Sequence, residues 1–169
     1  MNALVRKFSV LAAAAGTVVA LDQATKAWVH GSFALYESRP VIPGLFHLTY
    51  LRNPGAAFSF LAESPEAFRV PFFLTVTAVA LIVISVVVAR LPPGRSWALA
   101  GLSLVFAGAV GNLIDRVRLG EVVDFLDFHI KDFHWPAFNV ADSLVCIGAG
   151  LLLWYIFKEE FSQDVSHPV

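Results

Sequence analysis

Four long apolar runs separated by polar segments dominate the pattern of the chain. The predicted spans cover residues 8–29, 68–89, 97–115 and 138–157. A helix of about 20 apolar residues, rising about 1.5 Å per residue, crosses a hydrocarbon core of about 30 Å. The pattern therefore predicts one membrane-embedded domain, residues 1–169, with four transmembrane helices.

The first apolar run allows two interpretations. Arg6 and Lys7 precede an alanine-rich stretch whose residues 18–20 would serve as the cleavage site of a secretory signal peptide. Against cleavage, no turn-forming residue interrupts the helical pattern before Gly31. A retained first helix gives four spans, and a cleaved one gives three.

The third span is rich in small residues, which let helix backbones approach closely in lipid. They are Gly101, Ala107, Gly108, Ala109 and Gly111. This span is therefore expected to pack tightly against a neighbour.

Two segments, about 31–67 and 116–137, connect the spans on one side of the membrane. Residues 41–46 and 47–51 have the β-branched and aromatic content of two short strands around a turn, and a second turn at 53–55 leads into 56–60. We expect a small sheet on the membrane surface, with its aromatic residues at headgroup depth. The second segment interleaves aromatic and charged residues, and we expect an extramembrane loop there.

Composition narrows the class of protein further. The chain is 57% hydrophobic and only 15% charged, whereas soluble domains have about 25% charged residues. A net charge of −1 gives no reason to expect nucleic acid as a partner. The single cysteine, Cys146, cannot form an internal disulfide, and its apolar run offers no base to activate a nucleophile.

The distribution of basic residues favours an orientation with both termini in the cytoplasm. The segments between the spans carry equal numbers of basic residues on the two sides of the membrane. On the side of the two termini, however, they lie in short segments next to span ends, where the positive-inside rule applies most strongly. These residues are Arg6, Lys7, Arg90, Arg95 and Lys158. Those on the other side are Arg39, Arg52, Arg116, Arg118 and Lys131.

Polar residues near the spans need partners. Asp22 and Lys26 are four residues apart in the order that favours an ion pair, which would neutralise the pair and anchor the first helix. At the end of the third span, Asn112, Asp115 and Arg116 share one helix face by their spacing. We interpret Asp115 with Arg116 as a neutralised pair and Asn112 as an interhelical hydrogen-bonding group.

Residues 124–134 contain three aspartates and two histidines, a composition that also suits a zinc-like metal ion. The spacing matches no helical zinc motif, and alternation of polar residues with phenylalanine is typical of an interfacial segment. We therefore predict no metal or other cofactor. Asp127, His129, Asp132 and His134 are interpreted as solvated residues of a membrane-surface segment.

Asp124 and Asp142 differ from the other acids because each lies beside strongly apolar sequence and lacks an adjacent cation. Carboxylates near a bilayer are costly and mark functional sites. If Asn139 caps the fourth helix, Asp142 occupies its third position, where the helix dipole stabilises a carboxylate. Asp142 could then be a capping acid only, or it could meet Asp124, carried by a flexible loop, in a proton-sharing pair that activates water.

Four sequence runs, NPGAAFS, GNLIDR, GEVVDF and FNVADS, occur in this order together with the Asp22 and Lys26 pair. Their order and placement relative to the four spans resemble the lipoprotein signal peptidase family, also called signal peptidase II. The resemblance covers nearly the whole chain, and five features in order make it specific.

The resemblance implies an aspartic endopeptidase of the bacterial inner membrane, with both termini cytoplasmic and the active site at the outer face. Its substrates would be diacylglyceryl-modified prolipoproteins, cleaved just before the lipidated cysteine. It also implies a retained first helix, a periplasmic β-cradle, inhibition by globomycin, contact with membrane lipid and a monomer without a cofactor. The implied catalytic residues are Asp124 and Asp142. The implied pocket residues are Asp22, Lys26, Asn53, Gly55, Asn112, Asp115, Arg116 and Asn139. One departure is Pro54, which removes a backbone donor between Asn53 and Gly55.

Two other classes stay open on the residues alone. A small ion- or proton-coupled transporter also uses intramembrane acids, but it predicts carboxylates near midspan and repeated halves. A noncatalytic assembly factor would use Asp22, Asp124 and Asp142 only for packing or capping. The acids of this chain cluster at span ends, and no internal repeat is visible.

Overall fold

Helices make up most of the computed structural model, which describes residues 2–56, 60–130 and 133–164 and, within these, the side chains of all but His134 and residues 160–164. The helices of these ranges are α1 (Ala3–Ser32), α2 (Glu66–Arg90), α3 (Ser96–Leu119) and α4 (Val140–Asp164). Each contains a segment long and apolar enough to cross a membrane, which in α4 is Val140–Glu159. The predicted helical membrane fold with four spans is confirmed.

The helix ends carry recognisable caps. The Asn2 side chain accepts a hydrogen bond from the backbone N–H of Leu4 at the start of α1. Helix α3 ends at Leu119, and the residue that caps it, Gly120, has a φ of 72°, in the left-handed region. This glycine lets the chain leave the bundle abruptly and enter the sheet.

Helices α3 and α4 pack through small residues, as predicted. A Cβ atom at Gly108 would lie 2.4 Å from the carbonyl oxygen of Ala141, and one at Gly101 would lie 2.9 Å from that of Gly148. A Cβ at Gly111 would lie 2.8 Å from Asp22 Oδ2, so α1 also reaches this face of α3. Side chains at these positions would force the helices apart.

One antiparallel sheet stands at the end of the bundle where α1 and α3 finish and α4 begins. Its strands, in spatial as well as chain order, are β1 (Ser38–Ile42), β2 (Phe46–Asn53), β3 (Val122–Ile130) and β4 (Phe133–His134). The turn between the first two strands lies at 43–45, inside the predicted first strand 41–46, and β1 begins at Ser38, three residues earlier than expected. The second extramembrane segment, expected to be a loop, contributes β3 and β4 to the same sheet.

The sheet is joined to the bundle by an apolar cluster. Val29 and Phe33 at the end of α1 pack with Tyr50 of β2 and with Val123 and Phe125 of β3. Burial of apolar surface stabilises such a contact by about 25 cal/mol per Å². The start of β3 is therefore held against α1.

The pairing of β2 with β3 contains an irregularity that affects the candidate site. Leu48 pairs with Leu126 and Leu51 pairs with Asp124, so β2 has one more residue than β3 between these pairs. Such a bulge redirects the side chains of the longer strand.

The two predicted extramembrane segments are not described in full. Residues 57–59 of the first segment, and Lys131 and Asp132 of the second, lie outside the described residues.

Candidate active site

Asp124 lies on strand β3, not on a flexible loop as the sequence suggested. The β-branched and apolar neighbours Val122, Val123 and Phe125 favour the strand, and its pairing with β2 fixes the backbone. The carboxyl group is buried, with 2% of the residue exposed. Asn53 Nδ2 donates to its Oδ2 at 2.9 Å.

Asp142 lies in the first turn of α4, where the sequence predicted it. The backbone N–H of Asp142 donates to Asn139 Oδ1 at 2.9 Å, and the backbone N–H of Asn139 donates to Asp142 Oδ2 at 3.3 Å. This reciprocal pair is a capping box, so the predicted N-cap is confirmed. Unlike Asp124, Asp142 is partly exposed.

Asn139 connects the two aspartates. Besides capping α4, it donates through Nδ2 to Asp124 Oδ1 at 2.7 Å. Asn112 Nδ2 donates to Asp142 Oδ1 at 2.7 Å. All four carboxylate oxygens of Asp124 and Asp142 therefore receive a donor, and every donor is an amide. The structure thus brings the two acids to one place from different elements.

Asp22 and Lys26 form the predicted ion pair, with Lys26 Nζ 2.8 Å from Asp22 Oδ2. Both residues are buried, so the ion pair is not exposed to solvent at the end of α1. The other oxygen of Asp22 accepts the backbone N–H of Ala141 at 3.0 Å. Asp22 therefore accepts, from a neighbouring helix, a first-turn N–H of α4 that has no partner within its own helix.

Asp115 does not pair with Arg116, and that prediction is wrong. Its partner is Lys26, whose Nζ lies 2.8 Å from Asp115 Oδ2. Adjacent residues on a helix point about 100° apart, so Asp115 faces α1 while Arg116 faces the extramembrane segment. Asp115 Oδ2 also accepts the backbone N–H of Val123 at 3.2 Å.

Arg116 holds the turn that follows β2. Its Nη2 donates to the carbonyl oxygen of Gly55 at 3.1 Å, and its guanidinium lies 4.8 Å from the ring centre of Phe73. The backbone N–H of Gly55 donates to Asn53 Oδ1 at 3.0 Å. A Cβ at Gly55 would lie 2.4 Å from the carbonyl oxygen of Phe60, so only glycine fits this turn. Gly55 and Arg116 thus hold Asn53 against Asp124.

The environment of Asp124 changes its acidity. The pKa of Asp124 is raised from 3.8 to about 7, mainly by burial and next by the nearby negative charge of Asp142. Hydrogen bonds from Asn53 and Asn139 and the positive charge of Lys26 oppose the shift. Asp124 therefore keeps its proton below about pH 7.

The remaining acids and histidines of β3 lie elsewhere. His129 is 9% exposed, and its ring centre lies 4.3 Å from that of His47, so the prediction that it is solvated is wrong. Thr49 Oγ1 donates to Asp127 Oδ2 at 2.9 Å, which makes Asp127 only partly solvated. Both corrections follow from the sheet, because each side chain contacts a residue of the neighbouring strand β2. Across the described ranges, no three His, Cys, Asp or Glu side chains are grouped to hold a metal ion.

Gln23 belongs to this network and was missed in the sequence. Its Nε2 lies 2.9 Å from Asp115 Oδ1, 3.2 Å from Asp22 Oδ2 and 3.3 Å from the carbonyl oxygen of Gly111. A glutamine beside an aspartate on a helix carries no distinctive pattern. Only the packing of α1 on α3 reveals its role.

Comparisons with known proteins agree with this arrangement. The family described as Signal peptidase (SPase) II matches residues 14–158. Two similar relatives are the lipoprotein signal peptidases of Geobacter sulfurreducens, 57% identical over 83% of this chain and 86% of that protein, and of Geobacter metallireducens, 51% identical over 94% and 95%.

A solved bacterial membrane enzyme has a similar fold. Its TM-score is 0.81 at 35% identity, with 90% of each chain covered. The match in fold therefore extends over the helices as well as the sheet. With the family match over residues 14–158 and relatives at this level of identity, the chain belongs to the signal peptidase II family.

Proposed function

We propose that this chain is an aspartic endopeptidase that removes the signal peptide of diacylglyceryl-modified prolipoproteins, just before the lipidated cysteine. The observation that carries the proposal is the convergence of Asp124 and Asp142 on Asn139, from strand β3 and helix α4. The names of the relatives, lipoprotein signal peptidases, support the substrate class.

The two carboxyl groups have different environments, which suits one acid and one base. Asp142 lies at the positive end of the α4 dipole, receives two amide donors and is partly exposed. Asp124 is buried and has a pKa of about 7. We therefore assign the ionised base to Asp142 and the protonated acid to Asp124.

Hydrolysis then proceeds without a covalent intermediate. Asp142 takes a proton from a water molecule whose oxygen attacks the scissile carbonyl carbon, while Asp124 gives its proton to the carbonyl oxygen. In the resulting gem-diol, the C–N bond breaks as Asp142 returns its proton to the leaving amine. Asp124 regains a proton from one hydroxyl as the carboxylic acid product forms. Both aspartates return to their starting states.

The proposed orientation places both termini in the cytoplasm and the site at the outer face of the inner membrane. The sheet and the site lie at one end of the bundle. The basic residues Arg6, Arg90, Arg95 and Lys158 lie at the other end, in the short segments that the positive-inside rule weights most. Lys7 Nζ donates to the carbonyl oxygen of Ala89 at 3.1 Å, which joins the start of α1 to the end of α2 there.

Membrane lipid is the second proposed partner. At the tip of the sheet, an open apolar cavity of about 370 Å³ has rim residues that are more than half exposed, namely Ile130, Phe133 and Trp135. Aromatic residues favour the headgroup region of a bilayer. Each carboxyl oxygen of Asp124 and Asp142 has a hydrogen-bond donor from this chain, so we propose that a monomer is sufficient.

The substrate would bind as an extended segment, because a helical peptide hides its scissile carbonyls in its own hydrogen bonds. Its lipid anchor can stay in the bilayer. Nothing in the described residues favours the transporter alternative, since Asp124 and Asp142 lie at helix and strand positions at one end of the bundle.

Reconstitution tests this proposal. The purified protein in lipid vesicles is given a precursor peptide with a diacylglyceryl cysteine, or the same peptide without the lipid. We expect cleavage of the lipidated peptide only, before the cysteine. Equal cleavage of both peptides would overturn the substrate assignment, and absence of any cleavage would overturn the proposed activity.

A further inference from the structure

Lys26 is a buried cation with every donor in use. It is 3% exposed, and an ammonium group has three N–H donors. Three acceptors lie within hydrogen-bond distance of Nζ: Asp22 Oδ2 at 2.8 Å, Asp115 Oδ2 at 2.8 Å and Asn112 Oδ1 at 3.0 Å. No donor is left for a substrate. Any effect of Lys26 on catalysis therefore acts through these three residues.

Two of the three acceptors hold the backbone beside a candidate catalytic aspartate. Asp22 accepts the N–H of Ala141, the residue before Asp142, at 3.0 Å. Asp115 accepts the N–H of Val123, the residue before Asp124, at 3.2 Å. One ammonium group therefore connects the start of α4 with the start of β3.

The third acceptor reaches an aspartate directly. Asn112 Nδ2 donates to Asp142 Oδ1 at 2.7 Å. Because an ammonium group can only donate, Lys26 requires Asn112 to present Oδ1 to it, which leaves Nδ2 for Asp142. Asn139 Nδ2 also donates to Asn112 Oδ1, at 3.2 Å, which favours the same orientation of the Asn112 amide.

We propose that Lys26 is a positioning residue that sets the placement of Asp124 and Asp142 relative to each other, without touching substrate. This role rests on the proposed peptidase function and refines it. The simpler explanation is a self-neutralising pair with Asp22. That explanation leaves out Asp115 and Asn112, which bind the same ammonium group and connect it to β3 and to Asp142.

A charge-balanced double variant separates the two explanations. In Asp22→Asn with Lys26→Met, the net charge of Asp22, Lys26 and Asp115 together stays at −1. Asp115 keeps the hydrogen bonds from Gln23 and from the backbone N–H of Val123, and the amide introduced on α1 keeps an acceptor for the N–H of Ala141. A self-neutralising pair predicts that the double variant regains the kcat lost in Lys26→Met. Positioning predicts that kcat stays down by about 100-fold, because displacing catalytic groups by about 1 Å costs this much. KM for the lipidated peptide should stay within about 2-fold of wild type, because Lys26 makes no substrate contact.

Lys26→Arg decides the question if the double variant does not fold. It keeps the charge, but its planar guanidinium cannot direct donors to the same three acceptors. We expect at least a 10-fold lower kcat, counted per folded molecule, because the three acceptors change their placement while the two carboxylates keep a cation beside them. Wild-type kcat in a folded double variant, or in Lys26→Arg, would overturn the positioning role. Failure of the wild-type protein to cleave would instead overturn the proposed function.

Discussion

Asn139 donates to Asp124 Oδ1 at 2.7 Å while its own Oδ1 caps α4 by accepting the N–H of Asp142 at 2.9 Å. One fully buried side chain therefore connects a strand and a helix that approach the site from different parts of the chain. The cap function and the bridging function use different atoms of the amide, and substitutions can separate them.

Asn139→Ser should retain the cap and lose the bridge, because serine caps helices well but is too short to reach Asp124. We expect a kcat lowered by about 10- to 100-fold. Stability should fall by about 1–3 kcal/mol, because Asp124 Oδ1 and the carbonyl oxygen of Val123 lose a buried donor. Asn139→Ala should lose both functions and be less stable by a further ~1 kcal/mol. Thermal unfolding in detergent and cleavage of the lipidated peptide measure the two effects. Equal activity in wild type and Asn139→Ser would show that the bridge is dispensable.

The pH dependence of cleavage should have an alkaline limb near pH 7, where Asp124 loses the proton that it donates. Asn53 donates to Asp124 and stabilises the charged form. Asn53→Ala should therefore raise the pKa of Asp124 and move this limb to higher pH. Thr49→Val, on the same strand, removes a hydrogen bond to Asp127 and should leave the limb in place. A shift to lower pH in Asn53→Ala would contradict the assignment.

Asp124 should cost stability increasingly as the pH rises from about 4 to about 7. The folded protein holds this proton up to about pH 7, whereas a carboxyl with its ordinary pKa of 3.8 has released it. Between these values the folded state binds more protons than the unfolded state, so stability falls as the pH rises. Asp124→Asn removes this cost, and its stability advantage over wild type should grow from pH 5 to pH 8. Thermal unfolding at both values tests this, with Asp127→Asn as the control; an advantage that does not change with pH would refute it.

Stability and kcat should both be sensitive to a larger side chain at the contact between α3 and α4. Gly108→Ala places a methyl group 2.4 Å from the carbonyl oxygen of Ala141, next to Asp142. We expect a loss of stability of about 1–3 kcal/mol, because overpacking moves backbones, and a lower kcat. Gly150→Ala is the matched control, since no atom lies within 4 Å of its added Cβ. Similar behaviour of the two variants would argue against the tight α3–α4 contact.

Local patterns predicted the parts of the site that depend on neighbours in sequence. The spacing of Asn139 and Asp142 predicted the capping box, and the spacing of Asp22 and Lys26 predicted the ion pair. The apolar runs predicted the helices for the same reason, because each run is contiguous.

Contacts between segments that are distant in sequence could not be predicted from local patterns. Asp115 has Arg116 beside it in sequence, but the packing of α3 on α1 gives it Lys26 instead. The position of Asp124 depends on a bulge in β2 and on pairing between segments about 70 residues apart, as the Asn53 hydrogen bond shows. The resemblance to a known family supplied residues such as Asn53 that no local pattern marked.

The most direct test of the account is the activity of Asp124→Asn and Asp142→Asn, each reconstituted in vesicles with the lipidated precursor peptide. Asn cannot exchange a proton, and loss of acid or base catalysis costs about 10²–10⁴-fold. We predict a fall of at least about 100-fold in kcat for each variant, folded to the same extent as wild type, and wild-type activity for Asp127→Asn. Wild-type cleavage by either Asp124→Asn or Asp142→Asn would contradict the two-aspartate mechanism.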